Sequence, residues 1–82
     1  MIHVRVLAFA SAVDSLGCRE RAMELPPGAR VADALANLSL ERPQLAARIP
    51  ALATSVNGQI VAADRLLNDG DEMALLPQFS GG

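Results

Sequence analysis

A chain of 82 residues that is 51% hydrophobic has room for one domain with one small core. Its formal charge is -2 and its arginines are scattered from Arg5 to Arg65 without a basic cluster, which argues against a phosphate-tracking, nucleic-acid-binding surface. No apolar run approaches the roughly 20 residues of a membrane-spanning helix, and with Phe9 and Phe79 as the only aromatic residues the core must be aliphatic.

Cys18 is the single cysteine, so no internal disulfide can close, and a cytoplasmic, reducing compartment is expected. Met1 leads into a strand-like segment and not into a charged and then apolar leader, which agrees with that expectation. Lysine is absent, so the side chains offer no amine to an acyl group. In any acyl transfer the chain is better placed as donor than as acceptor.

Ile2, Val4, Val6 and Ala8 alternate with His3, Arg5 and Leu7, the period-2 pattern of a strand with one buried face. Ser11 to Gly17 reads as a short helix or turn ending at Gly17, and Arg19 to Leu25 as a weaker strand with few inward positions. Pro26-Pro27-Gly28 breaks the chain. Val31, Ala34, Leu35 and Leu38 fall at helical spacing with Asp33 in the first turn, where the helix dipole favours a carboxylate. Pro43 stops this main helix and opens a second short one through Leu45, Ala46 and Ile49, which Pro50 ends.

Thr54 to Val56 and Gln59 to Val61 are short β-prone runs on either side of Asn57-Gly58, a dipeptide suited to a two-residue hairpin turn. Asn68-Asp69-Gly70-Asp71 reads as another turn, and Glu72 to Leu76 as a last strand with Met73 and Leu75 on one face, closed by Pro77. An α+β fold follows, a sheet with the main helix and the second short helix packed on one face. Periodicity leaves the strand order open. The expected division is a domain over residues 1–76 and a flexible tail over residues 77–82.

The sequence stops at Ser80-Gly81-Gly82, and at average glycine usage two terminal glycines arise by chance in about 0.5% of chains, so chance is a poor explanation. Paired glycines make a thin end that can thread a narrow channel. From Pro77 to Gly82 the tail spans about 20 Å when fully stretched, long enough to enter a partner's pocket.

Taken together, the first strand running into Phe9-Ala10, Gly17, Val56-Asn57-Gly58, and Asp69-Gly70-Asp71-Glu72 followed by an apolar strand, Pro77 and Ser80-Gly81-Gly82 resemble the molybdopterin synthase small subunits, within the ubiquitin-like sulfur carriers. The resemblance spans nearly the whole chain and implies a β-grasp, mixed-sheet fold. It implies that an adenylyltransferase related to ubiquitin-activating enzymes uses ATP and Mg²⁺ to adenylate the Gly82 carboxylate. A sulfurtransferase then supplies persulfide sulfur, AMP leaves, and a thiocarboxylate remains at Gly82. That tail enters the large synthase subunit and donates sulfur to cyclic pyranopterin monophosphate in molybdenum cofactor biosynthesis. By the same resemblance the chain is a sulfur-donor subunit of a heterotetramer whose catalytic side chains lie on the large subunit, and it holds no permanent cofactor. Phe9, Ile60, Leu76 and Phe79 are the implied apolar contacts with both partners, with Ser80 and Gly81 in the inserted tail. Val13 and Asp14 stand where family members often carry Arg-Glu, which removes the arginine's partner contact.

Each of these residues also has a plainer reading. Gly81-Gly82 can be a loose end or an expression scar, and Phe9 a core residue. His3 is a lone histidine with no ligand set around it, so no metal site is expected, and Cys18 has no activating partner and reads as a structural thiol. Asp69, Asp71 and Glu72 are explained by a turn leading into a strand. Competing functions are sulfur donation to thiamin thiazole synthesis or another pathway, a ubiquitin-like protein modifier conjugated through Gly82, and a β-grasp interaction module with no terminal chemistry.

Overall fold

The computed structural model describes residues 1–78. Its elements are β1 (Ile2–Ala8), α1 (Ala12–Leu16), β2 (Glu20–Leu25), α2 (Val31–Glu41), α3 (Pro43–Arg48), a single 3-10 turn (Ile49–Ala51), β3 (Leu52–Val56), β4 (Gln59–Val61) and β5 (Glu72–Pro77). One five-stranded sheet forms in the order β2-β1-β5-β3-β4. The central pair β1 and β5 is parallel, and all other neighbours are antiparallel. This mixed sheet with helices across it is the expected β-grasp arrangement.

The alternation of β1 places Val4, Val6 and Ala8 in the core, and the register carries that face to Met23 and Leu25 of β2 and to Met73 and Leu75 of β5. Leu52, Thr54 and Val56 of β3 continue it. Val31, Ala34 and Leu38 of α2, Leu45 of α3, and Ala12 and Leu16 of α1 join the same cluster, so all three helices cover one face of the sheet. Each fully buried leucine or valine contributes about 1.5–3 kcal/mol, and among the described residues the core is built from such aliphatic side chains. Phe9 is 48% exposed and does not belong to this core.

Three segments differ from or refine the expectation. The charged segment after Gly17 does form a strand, because β1 pairs with it at six positions and its two inward residues suffice. β3 begins at Leu52, two residues before the predicted start, since Leu52 and Ala53 pair with Pro77 and Leu76 of a strand distant in sequence. Pro77 is the last residue of β5, and Gln78 is held beyond it by its N–H to Ala51 O (3.0 Å) and its Nε2 to Leu52 O (3.0 Å). Proline is tolerated there because in this register the even-numbered residues of β5 bond to β3, so the missing N–H breaks no bond with that strand.

The turns obey their sequence signals. Asn57 (φ 51°) and Gly58 (φ 87°) both take positive φ, as a two-residue type I′ hairpin requires. Asp33 accepts the Arg30 N–H at 2.8 Å, closing the first turn of α2.

Candidate docking face and tail site

The face of the sheet away from the helices is uncovered, and the strand register arranges its side chains in rows. One row runs from Ile60 of β4 through Ser55 of β3 and Ala74 of β5 to Leu7 of β1 and Glu20 of β2. In the next row towards the carboxyl end of β5, Ala53 faces Leu76. Ser55 and Ala74 are 7% and 8% exposed, small side chains lying low between larger neighbours. The result is a shallow floor bordered on one side by Ile60, which is 66% exposed.

Ile60 and Leu76 line one groove of about 620 Å³ together with Ile49, Leu52, Pro77 and Gln78. The chain therefore leaves β5 along a groove edged by two of the residues singled out in the sequence. Phe9 lies one position past β1, its N–H donating to Leu75 O at 3.2 Å. It borders a second hollow, of about 520 Å³, with Leu7, Val13, Asp14 and Arg19. Ile60 and Leu76 are thus brought together, and Phe9 sits on the β1 side of β5. Val13 and Asp14, where the family resemblance implies a missing arginine contact, border the same hollow as Phe9. Phe79, Ser80, Gly81 and Gly82 lie outside the described residues.

The other half of the open face is ionic. Arg5 Nε contacts Glu20 at 3.0 Å and its Nη1 contacts Glu72 at 3.7 Å. The His3 ring lies 3.1 Å from Asp69 and 3.9 Å from Glu24. Asp69 also accepts the backbone N–H of His3 at 2.7 Å, and these bonds to His3 hold its carboxyl below the usual 3.8. An apolar half near the end of β5 and a charged half near its start therefore share one surface.

The two family-like motifs read as separate turns form one hydrogen-bonded unit. Asn57 Nδ2 donates to Asp71 Oδ1 (2.9 Å), Asn57 Oδ1 accepts from Glu72 N (3.0 Å), and Asn57 N donates to Glu72 O (2.8 Å). Asp71 Oδ2 accepts from Asn68 N (2.7 Å), closing the second turn on itself, so that Asp71 serves both turns. This unit fixes where β5 starts and hence where its other end delivers the chain. Leu7, Ser55 and Ala74 were not among the predicted site residues. The outward phase of Leu7 in β1 and of Ala74 in β5 was the available signal for those two, whereas nothing in the sequence singled out Ser55.

Among the described residues, no group of three His, Cys, Asp or Glu side chains is placed to hold a metal ion. No helix there is long and apolar enough to cross a membrane. Cys18 is half-buried against the core.

Comparison with known proteins adds an independent line. The model of the ThiS family matches residues 6–82. The molybdopterin synthase sulfur carrier subunit of Chlamydomonas reinhardtii is 32% identical over 99% of this chain and 100% of its own length. Among solved structures, a Pyrococcus furiosus protein assigned as subunit 1 of molybdopterin converting factor superposes with a TM-score of 0.88 at 28% identity, covering 96% of this chain and 100% of that one. The small archaeal modifier protein 1 of Methanosarcina acetivorans superposes with a TM-score of 0.85 at 27% identity, covering 100% and 98%.

Proposed function

The chain belongs to the ThiS family, and from that premise we propose that it is a sulfur carrier that works through the carboxylate of Gly82 in molybdopterin synthesis. The observation that carries the reading is the end-to-end match to a molybdopterin synthase sulfur carrier subunit, together with a family match that runs through Gly82.

A carboxylate is a poor acyl electrophile, so the first step is attack of a Gly82 carboxylate oxygen on the α-phosphorus of ATP, with pyrophosphate leaving and Mg²⁺ held by an activating enzyme. The acyl adenylate then meets the terminal sulfur of a sulfurtransferase persulfide. AMP leaves, a thiol cleaves the resulting acyl disulfide, and Gly82 retains a thiocarboxylate. Inserted into the large synthase subunit, the thiocarboxylate transfers its sulfur to cyclic pyranopterin monophosphate. The chain itself contributes binding and delivery. Phe9, Ile60, Leu76 and Phe79 are the apolar contacts in this reading, and Ser80 and Gly81 thread the channel. Exposure of Ile60, and its shared groove with Leu76 where β5 ends, supports that assignment. The unpaired Cys18 agrees with a cytoplasmic carrier.

A second reading, a protein modifier joined through Gly82 to amines of target proteins, is favoured by the likeness to the small archaeal modifier protein 1. A carrier for thiamin thiazole synthesis uses the same tail chemistry with another acceptor. Incubation with ATP, Mg²⁺, the cognate activating enzyme and a sulfur donor, followed by intact-protein mass spectrometry, tests the common step. Exchange of one oxygen for sulfur at Gly82 is expected. No adenylate and no thiocarboxylate with a demonstrably active enzyme would overturn the proposal, and covalent adducts on target lysines with no sulfur transfer would favour the modifier reading.

A further inference from the structure

β2 is an outermost strand of the sheet, and its register shows which backbone groups it leaves unpaired. Ala8 N–H donates to Arg19 O at 2.9 Å, and every β1–β2 pair follows the same register, so Arg21, Met23 and Leu25 direct their N–H and C=O groups towards β1. Glu20, Ala22 and Glu24 direct theirs outward. The same three residues place their side chains on the open face, because Met23 and Leu25 point into the core.

A groove of about 580 Å³ wraps this edge, lined on its helix side by Arg21, Met23, Asn37, Leu40 and Glu41. Leu40 is 82% exposed at its rim. On the open-face side, the carboxylates of Glu20, Glu24, Asp69 and Glu72 are set against Arg5 as the arginine among them, with His3 adding charge only when protonated. The edge therefore offers three backbone donors and three acceptors, an apolar rim on one side and excess negative charge on the other.

We propose that the β2 edge accepts an extended segment of a partner protein as a sixth strand, with basic side chains at positions four apart on the open face and apolar side chains between them against Met23 and Leu40. A second copy of this chain fits poorly. Antiparallel pairing centred on Ala22 sets Glu20 opposite Glu24 of the second copy at both ends, and like charges directly opposite destabilise a strand pair. A strand with a basic residue at each end and apolar residues inside meets the edge in either direction. The surface lies on the far side of β1 from β5, so its occupancy leaves the groove beside Leu76 free.

The test uses a disulfide-closed hairpin peptide whose outer strand reads Lys-Val-Thr-Val-Lys, added to the isotope-labelled full chain, with a Glu-Val-Thr-Val-Glu hairpin as counterpart. The preformed strand avoids most of the ordering cost of a free peptide. Expected are amide hydrogen exchange slowed selectively at Glu20, Ala22 and Glu24, binding weakened severalfold by Glu24→Lys and abolished by Ala22→Pro, and weaker binding of the acidic hairpin. Ala22→Pro removes a donor that the fold itself does not use. Should that variant unfold, Glu24→Lys and the acidic hairpin decide alone. Absence of binding at millimolar peptide, equal binding of both hairpins, shifts centred on Ile60 and Leu76, or dimerisation of the chain through β2 would each overturn the proposal.

Discussion

Asn57 and Asp71, fourteen residues apart, are joined by a 2.9 Å side-chain hydrogen bond that ties the β3–β4 hairpin to the turn before β5. Asp71 is 7% exposed, and its second oxygen is taken by Asn68 N, so both carboxylate oxygens are committed within the fold.

Removing either partner strands polar groups that the other had satisfied. Asp71→Ala is expected to cost about 1–3 kcal/mol, with Asn57→Ala similar and adding the strain of a positive φ at a residue that tolerates it less well. Chemical denaturation of the two single variants and the double variant should show non-additive losses, since the two residues share one network. Additive losses would mean that the bond contributes little.

Gly17 and Gly58 have the same φ of +87°, but different surroundings. A Cβ at Gly17 meets Arg42 Cζ at 2.7 Å, whereas a Cβ at Gly58 meets nothing within 4 Å. Gly58→Ala should therefore cost only the backbone term, about 1–2 kcal/mol, and Gly17→Ala more unless the Arg42 side chain swings away. Repeating Gly17→Ala in an Arg42→Ala background separates the steric part. The two glycine variants should then lose comparable stability.

Asp69 has its carboxyl held below 3.8 by the N–H and ring of His3. A lowered folded-state value means that the carboxylate's contribution is complete above the unfolded value and is lost as pH falls through the folded one. Stability should accordingly decline as pH drops below about 4, less steeply in Asp69→Asn. Urea unfolding from pH 5 down to about pH 2.5 measures this, and identical slopes for the two proteins would exclude Asp69 as a contributor.

At the docking face, Ile60→Asp should leave the thermal midpoint nearly unchanged, because the side chain is 66% exposed. If Ile60 is an anchor for the activating enzyme and the large synthase subunit, the substitution costs about 2 kcal/mol of binding, or about thirtyfold in affinity. Calorimetric titration against each partner reads it. Deletion of Gly81-Gly82 should preserve folding and docking while abolishing sulfur transfer, which separates the role of the face from that of the tail.

What the sequence determined by itself is local. The alternation of β1 and β5 set which side chains turn inward, the spacing from Val31 to Leu38 marked the buried stripe of α2, Asn57-Gly58 set a hairpin turn, and Pro43 opened α3, whereas Pro50 falls inside the 3-10 turn that follows α3 and does not stop it. These signals depend on neighbours a few residues apart. Of the candidate site, Phe9, Ile60 and Leu76 were reached through a family resemblance, and the structure places them at the rim of the open face; Phe79 to Gly82 lie beyond the residues it describes. Only the tertiary structure decided that β5 lies between β1 and β3, that β3 starts at Leu52, that Ser55 and Ala74 form the floor between Ile60 and Leu7, and that Asn57 closes on Asp71. The reason is that strand neighbours are chosen by contacts between segments far apart in the chain, as when Arg5 pairs with Glu72, and a period-2 pattern fixes the face of a strand without naming its partner.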